Sequence, residues 1–284
     1  MLKMHLNILG DKRTTYIDEI NDVPVIKYEI FKDYNNLLHG FSTRLGGVSK
    51  EHLYSMNLSF TRGDDVENVM ENHKRFAEAV GYDYTKLVFS DQIHETRIRV
   101  VDEDDCGKGI ITENDIKGID GLVTNKKNIP LITFYADCVP LFFYDPKKQV
   151  VALAHSGWKG TVNKIGTKMI EKMNEVYGCS PEDIICAIGP SICKSCYEIS
   201  KDVADNFKAT YTNDEYSSMI TYKGNDKYLL DLHMACKYNF INAGVLESNI
   251  AMPDLCTCCN PDVLFSHRAS KGMRGNLAAV IMLK

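Results

Sequence analysis

The sequence predicts an α+β fold, a single domain over residues 1–284 in which short strands are interspersed with amphipathic helices. Three observations lead there. Short runs rich in Val, Ile, Leu and Phe recur along the chain, bounded by Gly, Pro, Asp and Asn. Other segments carry their apolar residues at helical spacing. No internal repeat, low-complexity tract or Pro-rich linker divides the chain.

Residues 24–31 and 39–43 read as strands, with Pro24 confined to a strand start or an edge. Asp64-Asp65 opens a helix, Asp64 being the better N-cap; Val66, Val69, His73, Phe76 and Val80 line one face and Gly81 stops it. Residues 87–89 form a short strand, 90–94 a corner, and 96–101 alternate as a strand. A Gly/Asp-punctuated segment, 115–124, precedes a buried strand at Leu131–Tyr135. The runs 139–144 and 149–154 flank Asp145-Pro-Lys-Lys148, a turn signature, and read as a hairpin. Val162, Ile165, Met169, Met173 and Val176 then recur at helical spacing up to Gly178. A strand at 184–188, helices at 200–211 and 231–243, and a final strand at Leu277–Leu283 complete the chain; the polar stretch 212–227 reads as a mobile connection.

Composition narrows the function. At 44% hydrophobic and 25% charged residues the chain is of the soluble globular class. No run approaches the ~18 apolar residues of a membrane span, and the stretch MLKMHLNILGDKRTTY lacks a secretory leader. A net charge of −5 gives no global attraction to nucleic acid or an anionic membrane. Ten cysteines in such a chain read as thiols of a reducing, cytoplasmic compartment. Cys193-Lys-Ser-Cys196 and Cys256-Thr-Cys258-Cys259 each hold a C-x-x-C pair, which permits a four-thiolate zinc or a redox pair. Their separation far exceeds the roughly 15–20 residues usual in such modules, which favours ordinary packed thiols near loops.

The chemistry concentrates around the hairpin. If its turn is centred between Pro146 and Lys147, Cys138 and His155 stand directly opposite, with Cβ atoms roughly 4.5–5.5 Å apart. One metal ion or a Cys–His hydrogen bond would span that gap. His94, in the earlier corner, offers a third ligand. Two imidazoles and a thiolate would leave a fourth position open, as in catalytic zinc sites. His155-Ser-Gly-Trp-Lys-Gly160-Thr161 leads into a helix; its glycines allow close approach of backbone to a ligand, Thr161 can cap the helix, and Lys159 adds charge. Arg44, Arg268 and Arg274 suit bidentate binding of phosphate or carboxylate. Asp120-Gly121 offers a carboxylate for a water or sugar hydroxyl, and equally reads as a turn.

Together the motifs HGFSTRLGGVS, MNLS, GDD, DQIH, DGLVT, ADCVPL, AHSGWKGT, IGPSI, CYEI, FSHR and RGNLAAVIML, in this order over residues 39–283, resemble the YfiH-like family. That family has been labelled polyphenol oxidase or multicopper laccase and is associated with purine nucleoside phosphorylase activity. The resemblance implies packed mixed β-sheets flanked by helices, an α/β/β/α-like sandwich. It implies one zinc held by His94, Cys138 and His155. It also implies phosphorolysis of adenosine, inosine, guanosine and S-methyl-5′-thioadenosine by inorganic phosphate, with adenosine deamination beside it, in a monomer or small homo-oligomer. Arg44, Lys159, Arg268 and Arg274 would hold phosphate; Lys159 stands where many relatives carry arginine.

A multicopper oxidase needs several histidines, typically in H-x-H pairs, whereas this chain has 8 histidines, all scattered singly. The laccase reading is therefore set aside, although copper binds such ligands more tightly than zinc and would be taken up in vitro. Two competitors remain: a metal-free hydrolase using Cys138 as nucleophile and His155 as base, and a non-enzymatic metal or redox module built on the cysteine clusters.

Overall fold

The computed structural model describes residues 6–284; residues 1–5, where the stretch read for a leader begins, lie outside the described residues. In chain order the elements begin with strands β1 (Thr15–Ile20), β2 (Val23–Tyr28) and β3 (Leu37–Ser42), helix α1 (Val66–Val80), and strands β4 (Val88–Phe89), β5 (Ile98–Val100), β6 (Gly121–Thr124) and β7 (Leu131–Tyr135). The hairpin β8 (Val139–Asp145) and β9 (Val150–Ser156) leads into helices α2 (Trp158–Val162) and α3 (Ile165–Tyr177). Then come β10 (Ile185–Ile188), β11 (Glu198–Ser200), α4 (Lys201–Thr210), α5 (Asn213–Met219), β12 (Ile220–Gly224) and β13 (Lys227–Leu230). The chain closes with α6 (Leu232–Asn242), β14 (Ile250–Ala251), α7 (His267–Ser270) and β15 (Leu277–Leu283).

Two six-stranded sheets, β1-β2-β3-β15-β7-β4 and β14-β10-β8-β9-β6-β5, pack face to face, and a three-stranded sheet β11-β13-β12 lies apart. The strand sequences explain the layering. β15 is buried on both faces: Leu277, Ala279, Ile281 and Leu283 enter the inter-sheet core, while Ala278, Val280 and Met282 pack with Phe76 and Val80 of α1. β8 divides in the same way, Phe142 and Tyr144 facing the other sheet and Leu141 and Phe143 facing the core under α3 and α6. This period-2 split of near-continuous apolar runs is what a strand covered on both faces requires. The result is helix, sheet, sheet, helix, as the resemblance implied.

Four local expectations are corrected. The hairpin pairs Val139 with Ser156, Pro140 with His155 and Asp145 with Val150, so Cys138 does not face His155. The reason lies in the turn: Asp145 Oδ1 accepts from the backbone N–H of Lys147 (2.8 Å) and Lys148 (2.9 Å) while Asp145 itself stays in the ladder. The four-residue loop is thus 146–149 rather than 145–148, and Gln149 takes a left-handed φ of 54°. α1 starts after Asp65 rather than Asp64, because the Asp64 carboxylate is drawn away by Ser49 Oγ (2.6 Å) and Asn57 Nδ2 (2.9 Å). Thr161 sits inside α2, whose N-cap is Gly157; its hydroxyl donates back to the Gly157 carbonyl at 2.9 Å. The helix read from Val162 to Val176 breaks at Lys164 (φ 61°), and Val176, in the last turn of α3, is exposed.

The stretch 212–227 is ordered. Thr212 and Glu215 form a reciprocal capping box that starts α5. Asn225-Asp226, both at positive φ, then turn β12 into β13. Elsewhere β10 and β14 are parallel neighbours, so the loops that follow them bring both C-x-x-C pairs to one place.

Candidate active site

The site lies where β4, β7 and β9 end and β8 begins. His94, Cys138 and His155 each offer a ligand atom there, all within 4.8 Å of one another. His94 Nε2 stands 4.0 Å from Cys138 Sγ, and the two imidazole rings meet edge to face at 4.7 Å. The register error moved Cys138 by two positions, so it stays on the face that carries His155. Asp137, at φ 85°, bends the chain just ahead of it.

Backbone geometry at the corner explains DQIH residue by residue. Gln92 clasps Phe134 of β7 through its side chain, accepting from Phe134 N–H at 2.7 Å and donating to its carbonyl at 2.8 Å. Asp91 accepts from Gly118 N–H at 3.0 Å. His94 itself is in the left-handed region, φ 65°, a conformation that a non-glycine residue holds only when its surroundings enforce it.

Asp120 provides that enforcement. It is fully buried, and it accepts four hydrogen bonds. Oδ1 takes His94 N–H (3.1 Å) and His155 Nδ1 (2.8 Å); Oδ2 takes Ile93 N–H (3.1 Å) and Glu95 N–H (2.9 Å). Burial works to raise its pKa, but the bonds from His155 and the backbone outweigh it and hold the group below the usual carboxylate value. The bond to Nδ1 fixes the His155 tautomer and leaves Nε2 for the shared centre. At Cys138 burial opposes ionisation, and the charges and hydrogen bonds of His155 and His94 overcome it, bringing the thiol to about 6. His155 is raised to about 9, the Cys138 and Asp120 contributions outweighing burial. A thiolate and two imidazoles, one backed by a carboxylate, are the donor set a borderline divalent cation selects, so the residues fit the implied metal.

These groups form the floor of a cavity of about 400 Å³. Phe60, Phe89 and Phe134 supply apolar wall; Arg62, Lys117 and Arg274 supply positive charge. Of the basic residues expected from the sequence, the structure brings only Arg274 into this cavity. Its pKa falls to about 10, through burial and then the nearby charge of Arg62, and its buried Nε has no hydrogen-bond partner among the described residues. Arg44 is not in the cavity: its guanidinium donates to the Tyr54 and Pro261 carbonyls (2.8 Å each) and stacks on Phe265. Arg268 donates to the carbonyls of Cys196 (3.2 Å) and Glu198 (3.0 Å), and Lys159 lies over the Trp158 ring, also outside the lining. Asp120 sits behind His155 rather than toward a substrate. The sequence reading missed Gln92 and Arg62; the first was visible inside DQIH as the only uncharged amide of the motif, the second carried no local signal.

Residues 38–284 match the family described as "Multi-copper polyphenol oxidoreductase laccase". The chain belongs to this family. It is similar to the purine nucleoside phosphorylase YlmD of Bacillus subtilis (strain 168), 36% identical over 249 residues that span 87% of this chain and 89% of that one. Among solved structures it is similar to the hypothetical protein YfiH of Bacillus licheniformis, with a TM-score of 0.89 at 31% identity over 96% of this chain and 100% of that one. YlmD from Geobacillus stearothermophilus superposes with a TM-score of 0.86 at 31% identity, over 94% of this chain and 97% of that one. The family description speaks of several coppers, yet only two histidines share the cluster found among the described residues. Among those residues, no helix is long and apolar enough to cross a membrane.

Proposed function

We propose that this chain is a purine nucleoside phosphorylase whose reaction centre is His94, Cys138 and His155. The observation that carries the reading is the convergence of these three side chains on the floor of a cavity with two arginines in its wall. The relationship to YlmD supplies the reaction class. In phosphorolysis the C1′–N9 bond of the nucleoside breaks, a phosphate oxygen bonds to C1′, and a proton reaches the departing purine. Arg274 and Arg62 hold the phosphate by charge-assisted hydrogen bonds. Phe60, Phe89 and Phe134 offer faces and edges to a purine ring. Asp120 keeps His155 in one tautomer and pins the corner that presents His94.

Zinc is the cation this donor set suits, with His94, Cys138 and His155 as its ligands; when bound it would supply Lewis-acid polarisation and lower the pKa of a water. Adenosine, inosine, guanosine and S-methyl-5′-thioadenosine are the proposed substrates, with adenosine deamination as a side activity of the same pocket. The decisive assay follows free base and ribose 1-phosphate from inosine or adenosine with and without phosphate. His94→Ala and His155→Ala are expected to abolish turnover with the fold retained; full activity in both overturns the assignment.

One observation favours a second reading, a metal-free Cys–His hydrolase. Cys138 with its lowered pKa, His155 and Asp120 are arranged as nucleophile, base and orienting carboxylate. A thiolate is equally the ligand form, and the hydrolase leaves His94 without a task. Stoichiometric zinc that disappears in Cys138→Ala counts against it; product release independent of both phosphate and metal establishes it.

A further inference from the structure

Cys193, Cys196, Cys256 and Cys259 lie remote in sequence, and the fold gathers them. β10 and β14 run parallel side by side, and the loops leaving their ends are joined again by a bridge between Ser191 and Cys256. The four sulfurs all lie within 4.8 Å of one another, with Cys196 to Cys259 at 3.5 Å and Cys193 to Cys259 at 3.9 Å. We propose that these four cysteines form a second metal site, binding one structural zinc ion as four thiolates.

The geometry suits that ion. A regular tetrahedron with Zn–S bonds near ~2.3 Å has sulfur–sulfur edges of about 3.8 Å. The spacing leaves no room for a cluster of several metal atoms between the sulfurs. Each pair spans one C-x-x-C, the bite with which zinc knuckles hold an ion from one loop. Cys193 N–H already points at Cys256 Sγ at 3.2 Å, a donor that favours a thiolate. All ten cysteines are free thiols. Cys258, between the ligands in sequence, is outside the set.

The site also has something to hold. Thr257, within the second loop, donates to Asp137 Oδ1 at 2.6 Å; Ile192 N–H, beside the first, donates to the Asp137 carbonyl at 3.0 Å. Arg268, whose guanidinium rests on the Cys196 carbonyl, gives its backbone N–H to Asp137 Oδ2 at 2.7 Å. Asp137 is the left-handed residue immediately before Cys138. The tetrathiolate thus ties down, from behind, the bend that presents Cys138. This role is positional, and the site stands whatever reaction the cavity performs.

The test is metal content of the full chain purified under reducing conditions without added metal. Two zinc ions per chain are expected, falling to one in Cys256→Ser and in Cys259→Ser, and to one in His94→Ala; Cys258→Ser should keep both. Should the cysteine variants fail to fold, the wild-type chain alone decides. Titration with a mercurial reagent, with released zinc read by a chromogenic chelator, should show an ion that comes free only as about four thiols are consumed. A chain that holds at most one zinc, all of it lost in His94→Ala, overturns the proposal. So does recovery of the four cysteines as disulfides from reduced protein, or visible absorption from iron bound at that stoichiometry.

Discussion

Asp120→Asn is the most discriminating single change at the candidate centre. The amide is isosteric with the carboxylate, so packing is conserved and only hydrogen bonding changes. Each Asp120 oxygen accepts two donors: His94 N–H and His155 Nδ1 on one, Ile93 and Glu95 N–H on the other. An asparagine must aim its NH2 at one of these pairs, and either orientation sets donor against donor. Two hydrogen bonds to a charged acceptor are lost, each worth roughly 1.5–3 kcal/mol, which gives about 3–6 kcal/mol of stability. Second-sphere changes of this kind also weaken metal binding by about 10–100-fold. Urea denaturation with and without zinc, together with zinc affinity from chelator competition, reads both effects. A variant that loses less than about 1 kcal/mol and binds zinc within about twofold of wild type refutes the view that Asp120 holds His94 and His155 in place.

Gly157→Ala tests how closely backbone passes His94 and Cys138. A Cβ there would lie 2.9 Å from His94 Cδ2 and 3.3 Å from Cys138 Sγ, and since Gly157 has an ordinary φ of −73° the cost is contact, about 1–3 kcal/mol, felt as lost zinc affinity and turnover; unchanged affinity contradicts it. Arg274→Gln and Arg62→Gln should each raise KM for phosphate about tenfold or more with a smaller change for the nucleoside, and an unchanged phosphate KM removes them from the anion site. Acid should destabilise the chain through two buried histidines. His39 is lowered to about 3 by burial and then by the charge of Lys27; His73 is lowered to about 4 by burial, against its bond to the Leu58 carbonyl. The unfolded chain takes up these protons near pH 6.5, so stability is full above that value and is lost as pH falls toward 3–4. At 1.36 kcal/mol per pH unit the loss between pH 6.5 and 5 is about 2 kcal/mol per histidine; equal urea midpoints at pH 7 and 5 contradict it.

Legibility of the fold followed the strength of local pattern. β7 and β15 were readable to the residue; β15 is an uninterrupted apolar run between Asn276 and Lys284, and such a run admits no other phase. β1 went unread although it is joined to β2 by Asn21-Asp22, both at positive φ. The same Asn-Asp pair closes β12 and β13. Asn and Asp tolerate the left-handed region, and this dipeptide between short alternating segments was a hairpin signal twice overlooked. The T-x-x-E of the α5 capping box was likewise present. Asp64 and Asp65 illustrate the opposite limit. Both are competent caps by type, and the choice is made by Ser49 and Asn57, whose positions depend on the folded loop.

The site shows why a wrong distance argument still named side chains that converge. The turn was expected centred between Pro146 and Lys147, one residue ahead of its observed centre between Lys147 and Lys148, which displaces every pairing by two. Because side chains along a strand repeat with period two, a slip of two keeps each residue on its face, whereas a slip of one would have turned His155 toward α3 and Cys138 away from it. Cys138 does not need to face His155 across the ladder. It reaches the shared centre from one residue beyond the strand, through the bend at Asp137. That bend is made by contacts from residues 192, 257 and 268, none of which local pattern could associate with it. Arg44, Lys159 and Arg268 lie outside the cavity for the complementary reason. An arginine in a glycine-rich loop has the same sequence appearance whether its guanidinium meets a phosphate or two backbone carbonyls, and at Arg44 the carbonyls of Tyr54 and Pro261 claim it. The converging thiol and imidazoles were legible because such groups are scarce; charge placement was not, because surface charge is plentiful and only the fold decides which of it faces a cavity.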